Sequence, residues 1–131
     1  MNNKKPVLTT DGLITKGDKI LLIKRDIEPF KGFWVLPGGH VEYNEKVEQA
    51  IRREVKEELG VNVKIKNLVG VYSDPERDPR YHSVSVAFYL KKTGGEFSLN
   101  EEATTFEYFH FENLPRKVGF DHRKIIKDLE K

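Results

Sequence analysis

Hydrophobic positions along this chain follow two different periods. Residues 45–59 contain neither Pro nor Gly, and Val47, Ile51, Val55 and Leu59 recur every fourth position with Ala50 beside them. That spacing predicts a helix that buries one stripe. Gly60 follows and stops it, because glycine accepts the left-handed backbone that closes a helix. Elsewhere the apolar runs are short and bounded by turn residues. Residues 7–15 and 19–24 read as a hairpin around Lys16-Gly17-Asp18. Residues 33–36 form a short apolar strand ending at Pro37-Gly38-Gly39, residues 61–72, 83–91 and 106–111 read as further strands, and residues 121–131 read as a closing helix. This order predicts an α+β domain in which helices cover one sheet.

The polar residues of the first helix carry the chemistry. On a wheel of roughly 100° per residue, Glu54 and Glu58 fall along the margin of the apolar arc, with Glu57 beside them. Bare carboxylates placed there repel one another and lose solvation, which raises their pKa values unless cations sit among them. Oxygen donors one helical turn apart suit a hard divalent ion such as Mg²⁺ or Mn²⁺, which keeps positions open for water and phosphate. Arg53 lies one turn before Glu57 and can orient it. The two glycines ahead of the helix let backbone approach a metal or a phosphate closely. The other reading is a solvated face, since Lys46, Arg52, Arg53 and Lys56 offer charge partners at helical spacing.

The whole pattern decides between them. It runs Gly39, five residues, Glu45, seven residues, then Arg53-Glu54-Val55-Lys56-Glu57-Glu58-Leu59-Gly60-Val61, and it resembles the Nudix box of the nucleoside diphosphate hydrolases. The resemblance implies one Nudix domain over residues 1–131, folded as an α/β/α sandwich around a mixed β-sheet. It also implies a loop-helix-loop metal site with Glu54 and Glu58 as ligands, Glu57 as ligand or base, Arg53 as their orienter, the Gly38 carbonyl as a further ligand, and Glu45 stabilising the motif. A further acidic residue is expected from a loop across the cleft, where Glu101-Glu102 falls; Glu102 is then an additional ligand or base, or else part of a polar turn after Asn100.

Composition narrows the class. A chain of 131 residues makes one domain able to bury about two thirds of its unfolded surface. With 23 basic and 21 acidic side chains the net charge is +2, too small for the global basic field that drives nucleic-acid binding. The absence of cysteine excludes disulfides, thiolate metal sites and a Cys nucleophile, and points to the cytoplasm. Neither a signal-type apolar run at the N-terminus nor an 18-residue apolar segment occurs, so no membrane association is expected.

Substrate choice should lie outside the box. Residues 71–82 are dense in proline and charge and read as an ordered loop. Pro75 stands fifteen positions beyond Gly60, and Asp78-Pro79-Arg80, His82 and Phe120-Asp121-His122 follow. These features resemble ADP-ribose pyrophosphatases, which implies hydrolysis of ADP-ribose to AMP and ribose 5-phosphate, and a homodimer. Arg77 or Arg80 can fork onto phosphates or the terminal ribose, with Arg25 a similar candidate; solvated positions are the alternative for each. Trp34, in Phe30-Lys31-Gly32-Phe33-Trp34, can stack on adenine, as can Phe30 or Phe33 unless they pack in the core. Other readings are a Nudix hydrolase of nucleoside triphosphates, oxidised nucleotides or dinucleoside polyphosphates, and a non-catalytic sensor of ADP-ribose or a nucleotide.

Overall fold

The computed structural model describes residues 4–129. Strands β1 (Val7–Lys16) and β2 (Lys19–Arg25) meet as a hairpin only at their turn, through Thr15↔Ile20 and Lys16↔Lys19. They then diverge. The rest of β1 runs parallel to β6 (Ser83–Gly95), from Val7↔Ser83 to Ile14↔Leu90, and takes the short β4 (Gly38–His40) along its other edge. β2 pairs with β3 (Trp34–Val35) and with β7 (Ala103–His110), while β5 (Val61–Tyr72) pairs antiparallel with β6. The result is one mixed, seven-stranded sheet in which β1 joins two halves. Helix α1 (Val47–Leu59) and helix α2 (His122–Leu129) complete the chain.

Alternation along the central strands assigns each helix its own face. Ile14, Leu21, Ile23 and Leu90 are buried in a cluster with Ile51, Val55 and Leu59 of α1. Their neighbours Leu13, Ile20 and Leu22 join Tyr72 of β5 and Ile125 and Ile126 of α2 in a second cluster. A strand buried on both faces needs an uninterrupted apolar run, and Ile20-Leu21-Leu22-Ile23 supplies one. The α/β/α sandwich around a mixed sheet is therefore the observed architecture. Gly12 allows close contact with α1, because a Cβ there would meet Leu90 Cδ1 at 2.6 Å and Ile51 Cδ1 at 3.1 Å.

Several boundaries differ from the sequence-based expectation for reasons of pairing. The first helix begins at Val47, not at residue 45: Lys46 is extended at φ −73° and ψ 149°, and Glu45 belongs to the loop before it. β6 continues past residue 91 to Gly95 because β5 still pairs there, through Val61↔Gly95. β7 starts at Ala103 rather than 106 and ends at His110 rather than 111, since it follows β2 from Arg25↔Ala103 to Lys19↔His110. α2 starts at His122, and the expected last two residues of that helix lie outside the described residues.

Ile51 is fully buried where α1 meets the sheet. Ile51→Ala should cost about 2–5 kcal/mol of stability, read as a lower urea midpoint at unchanged m-value.

Candidate active site

The site grows from the side of α1 that faces the glycine turn. Glu54 and Glu58 stand one turn apart on the stripe that also carries Ala50, Ile51 and Val55, so packing carries both carboxylates inward. Glu58 is only 4% exposed, and its Oε1 accepts the Gly38 N–H at 2.8 Å. Gly39 lies against Glu54: a Cβ there would sit 2.5 Å from the Glu54 carboxyl carbon. A methyl on Gly38 would fare worse, 2.0 Å from the Thr10 carbonyl oxygen and 2.9 Å from Asp11 Oδ1. Both glycines are thus required by close approach.

Arg53 fastens this assembly to its loop. Its guanidinium donates to both carboxylate oxygens of Glu45 at 2.8 and 3.0 Å, to Glu54 Oε1 at 2.8 Å, to Glu57 Oε2 at 3.2 Å and to the His40 carbonyl at 2.9 Å. The Glu45 hydrogen bonds, ahead of its contacts with Glu54, raise the Arg53 pKa, and Arg53 in turn holds Glu45 down at about 2. Desolvation works the other way on the inward pair. Burial raises the pKa of Glu54 despite Arg53, and burial lifts Glu58 well above the ordinary glutamate value, with Glu54, Glu102 and Asp11 adding repulsion.

These carboxylates open on a cleft of about 350 Å³ that also contains Glu102, Arg25, Arg80 and Phe120. Arg25 leaves β2 at a bulge, donates Nε to the Pro29 carbonyl at 2.8 Å and lies 5.3 Å from the Phe120 ring centroid. Among the described residues it makes no ion pair, and burial followed by repulsion from Arg80 lowers its pKa. Arg80 forks onto Asp78 at 3.1 and 2.8 Å and lies 5.9 Å from the same ring centroid.

Two of the expected substrate contacts have other partners in the fold. Arg77 borders the cleft, but its guanidinium is spent inside the fold: it forks onto Asp121 at 2.9 and 2.7 Å and donates to Ser83 Oγ at 2.6 Å. Burial alone would lower its pKa, yet Asp121 and Asp11 leave it raised. Trp34 lies outside the cleft, packed edge-on against Phe109 with the α2 cluster, because its position on β3 turns it to that face. Glu57 stays out of the cleft lining with its side chain 54% exposed; it is bonded to Arg53 and lies close enough to add repulsion at Glu54.

Asp11 and His122, buried in the cleft wall, were not singled out from sequence as site residues. Their signals were a lone acid within the apolar run of the first strand and a histidine opening the last helix. His122 Nδ1 accepts the Leu36 N–H at 2.9 Å, which leaves the proton on Nε2, 3.4 Å from Asp11 Oδ1. Burial lowers the His122 pKa and keeps the ring neutral.

The donor set fits a hard divalent cation. Glu54 and Glu58 are carboxylates held where ionisation is disfavoured until a cation offsets it, and Glu102 acts electrostatically on both. Among the described residues no three acidic or histidine side chains form a ready-made cage.

Fold, box and cleft together define a Nudix hydrolase, and the chain belongs to that family: residues 5–129 match the family profile described as NUDIX domain. It is 54% identical over 123 residues to an ADP-ribose pyrophosphatase of Methanocaldococcus jannaschii, covering 94% of this chain and 72% of that protein. A MutT NUDIX hydrolase from Burkholderia pseudomallei superposes with a TM-score of 0.89 at 29% identity, over 96% of this chain and 99% of that one. A bifunctional NMN adenylyltransferase/ADP ribose pyrophosphatase from Francisella tularensis, solved with AMP and a manganese ion, gives 0.85 at 27% identity over 97% of this chain and 42% of that one. Among the described residues no helix is long and apolar enough to cross a membrane.

The raised carboxylates fix the sign of a pH dependence. Their folded pKa values lie above the ordinary value, so their contribution to stability is complete below it and is lost as pH rises through the raised values. Glu45 acts oppositely, its contribution vanishing only as pH falls toward about 2. In chelator, the melting temperature should therefore fall as pH rises above the ordinary glutamate range, and Glu58→Gln should flatten that slope, as should Mg²⁺ or Mn²⁺.

Proposed function

We propose that this Nudix hydrolase cleaves the pyrophosphate of ADP-ribose, giving AMP and ribose 5-phosphate. The observation that carries the reading is the cleft itself, where the partly buried Glu54 and the buried Glu58 share one cavity with Arg25, a guanidinium without an ion-pair partner among the described residues. Such a cavity is built for a cation and a polyanion together. The relationship to the Methanocaldococcus jannaschii enzyme supports ADP-ribose among the nucleotides that the box serves.

In this reading Glu54, Glu58 and the Gly38 carbonyl hold Mg²⁺ or Mn²⁺, with Glu57 or Glu102 as the further ligand or base. A divalent cation, when bound, supplies neutralisation of the diphosphate and acidification of water near neutral pH. Arg53 keeps Glu54 and Glu57 in orientation through its hydrogen bonds. Arg25 and Arg80 receive the phosphate oxygens, Arg25 with its charge unpaired among the described residues and its guanidinium bonded to the Pro29 and Glu28 carbonyls, Arg80 sharing its charge with Asp78. Phe120 gives both guanidiniums a face to lie near, which limits the rotamer freedom lost on binding. Arg77 is assigned the bracing of the substrate loop rather than substrate contact. Location in the cytoplasm and assembly as a homodimer belong to the same proposal, the first supported by the absence of cysteine, the second by family resemblance and checked by sedimentation.

The test is product analysis with ADP-ribose, NADH, diadenosine polyphosphates and nucleoside triphosphates, each with Mg²⁺ and with chelator. AMP released preferentially from ADP-ribose, and abolished by chelator, is the expected outcome; preferential cleavage of triphosphates would move the assignment to another Nudix substrate, and binding without cleavage to a sensor. Glu58→Gln should keep the fold and lower kcat by more than the roughly 10- to 100-fold cost of removing a group that merely orients a ligand. Arg25→Ala should instead raise KM by about tenfold or more, as expected for a lost charge-assisted hydrogen bond.

A further inference from the structure

The turn that faces the box helix is anchored at three successive residues. Glu58 Oε1 accepts the Gly38 N–H at 2.8 Å, the Gly12 N–H donates to the Pro37 carbonyl at 2.8 Å, and the Leu36 N–H donates to His122 Nδ1 at 2.9 Å. The first two anchors come from elements beside the turn. The third comes from α2, whose apolar side packs on the opposite face of the sheet. His122 is 4% exposed; its ring is hydrogen-bonded by the Leu36 N–H at Nδ1, and its Nε2 lies 3.4 Å from Asp11 Oδ1. Asp11 is fixed in turn by the Ser85 hydroxyl and lies 3.7 Å from Arg77. It also bounds the space beside Gly38, where a Cβ would come 2.9 Å from Asp11 Oδ1.

From this arrangement we infer that His122 is a positioning residue for the metal turn: with Asp11 behind it, it holds Leu36 so that Gly38 presents its backbone to the Glu54–Glu58 site. The inference rests on the reading of that turn as the metal site. A residue remote in sequence from the box thereby sets the geometry of a backbone ligand. Orientation through a partner that contacts no substrate is worth a factor of about 10 to 100 in metal affinity or turnover.

The experiment compares three substitutions. Asn at position 122 places Oδ1 where His Nδ1 stands and keeps the acceptor for Leu36. Gln places its amide where Nε2 stands, so it can face Asp11 but abandons Leu36; Ala abandons both. Amide hydrogen exchange on metal-free protein and Mn²⁺ binding by calorimetry are read alongside turnover. Expected are faster exchange at Leu36 and Gly38 and Mn²⁺ binding weakened about tenfold or more in His122→Ala and His122→Gln, with kcat falling and KM for ADP-ribose little changed, and recovery to within about threefold of wild type in His122→Asn. Wild-type Mn²⁺ affinity and exchange in folded His122→Gln would overturn the inference, as would a folded His122→Asn that recovers neither.

The wild-type protein provides a check that survives any folding failure. Nitrogen NMR should show His122 protonated at Nε2, with a coupling across the hydrogen bond from Leu36 N to Nδ1; a proton on Nδ1 would overturn the inference. Failure to cleave ADP-ribose, with the exchange and Mn²⁺ pattern as expected, would defeat the substrate assignment alone.

Discussion

Two glutamates are brought in from water beneath a turn of two glycines, and the site is arranged around that burial. A carboxylate as enclosed as Glu58 is tolerable only if its oxygens are met by donors or cations. The protein supplies one backbone N–H, from Gly38. The rest of the deficit is left facing a cleft, which turns an electrostatic liability into an affinity for divalent metal. The same constraint explains the glycines: no side chain fits where Glu54 and the Thr10 carbonyl approach the turn.

Around that centre the charges are sorted by how completely they are satisfied. Arg53 is saturated, with donors placed on Glu45, Glu54, Glu57 and a backbone carbonyl, and it serves as a fixed frame. Arg77 is buried and places all three of its guanidinium nitrogens on Asp121 and Ser83. Arg80 is half committed to Asp78, and Arg25 bonds, among the described residues, only to backbone carbonyls. A bound polyanion gains most from guanidiniums whose hydrogen-bond capacity is still open. This gradation separates arginines that hold the architecture from those available to a substrate.

The sheet connects the two helices through one shared turn. α1 supplies the glutamates from one face, while α2 contributes His122 to the Leu36 amide from the other cluster. Asp11 lies on β1, the strand that joins the two halves of the sheet, so displacement of any one element would be felt at the Gly38 backbone. Close-packed interiors transmit such strain because little free volume absorbs it.

The amino-acid sequence determined what depends on local period and local chemistry: the box helix with its inward Glu54 and Glu58, the stop at Gly60, the glycine turn and the succession of strands. Each of these is set by residues within a few positions of one another, and the box pattern added the family. Tertiary structure decided what depends on pairing across long separations. It divided the first hairpin so that β1 runs beside β6, and it turned Trp34 toward Phe109 instead of the cleft. It spent Arg77 on an aspartate 44 positions away. It also brought His122 to Leu36 across 86 positions. A guanidinium or an imidazole has the same local sequence signature whether it is free or buried in a network, so only the packed fold distinguishes a substrate contact from a brace.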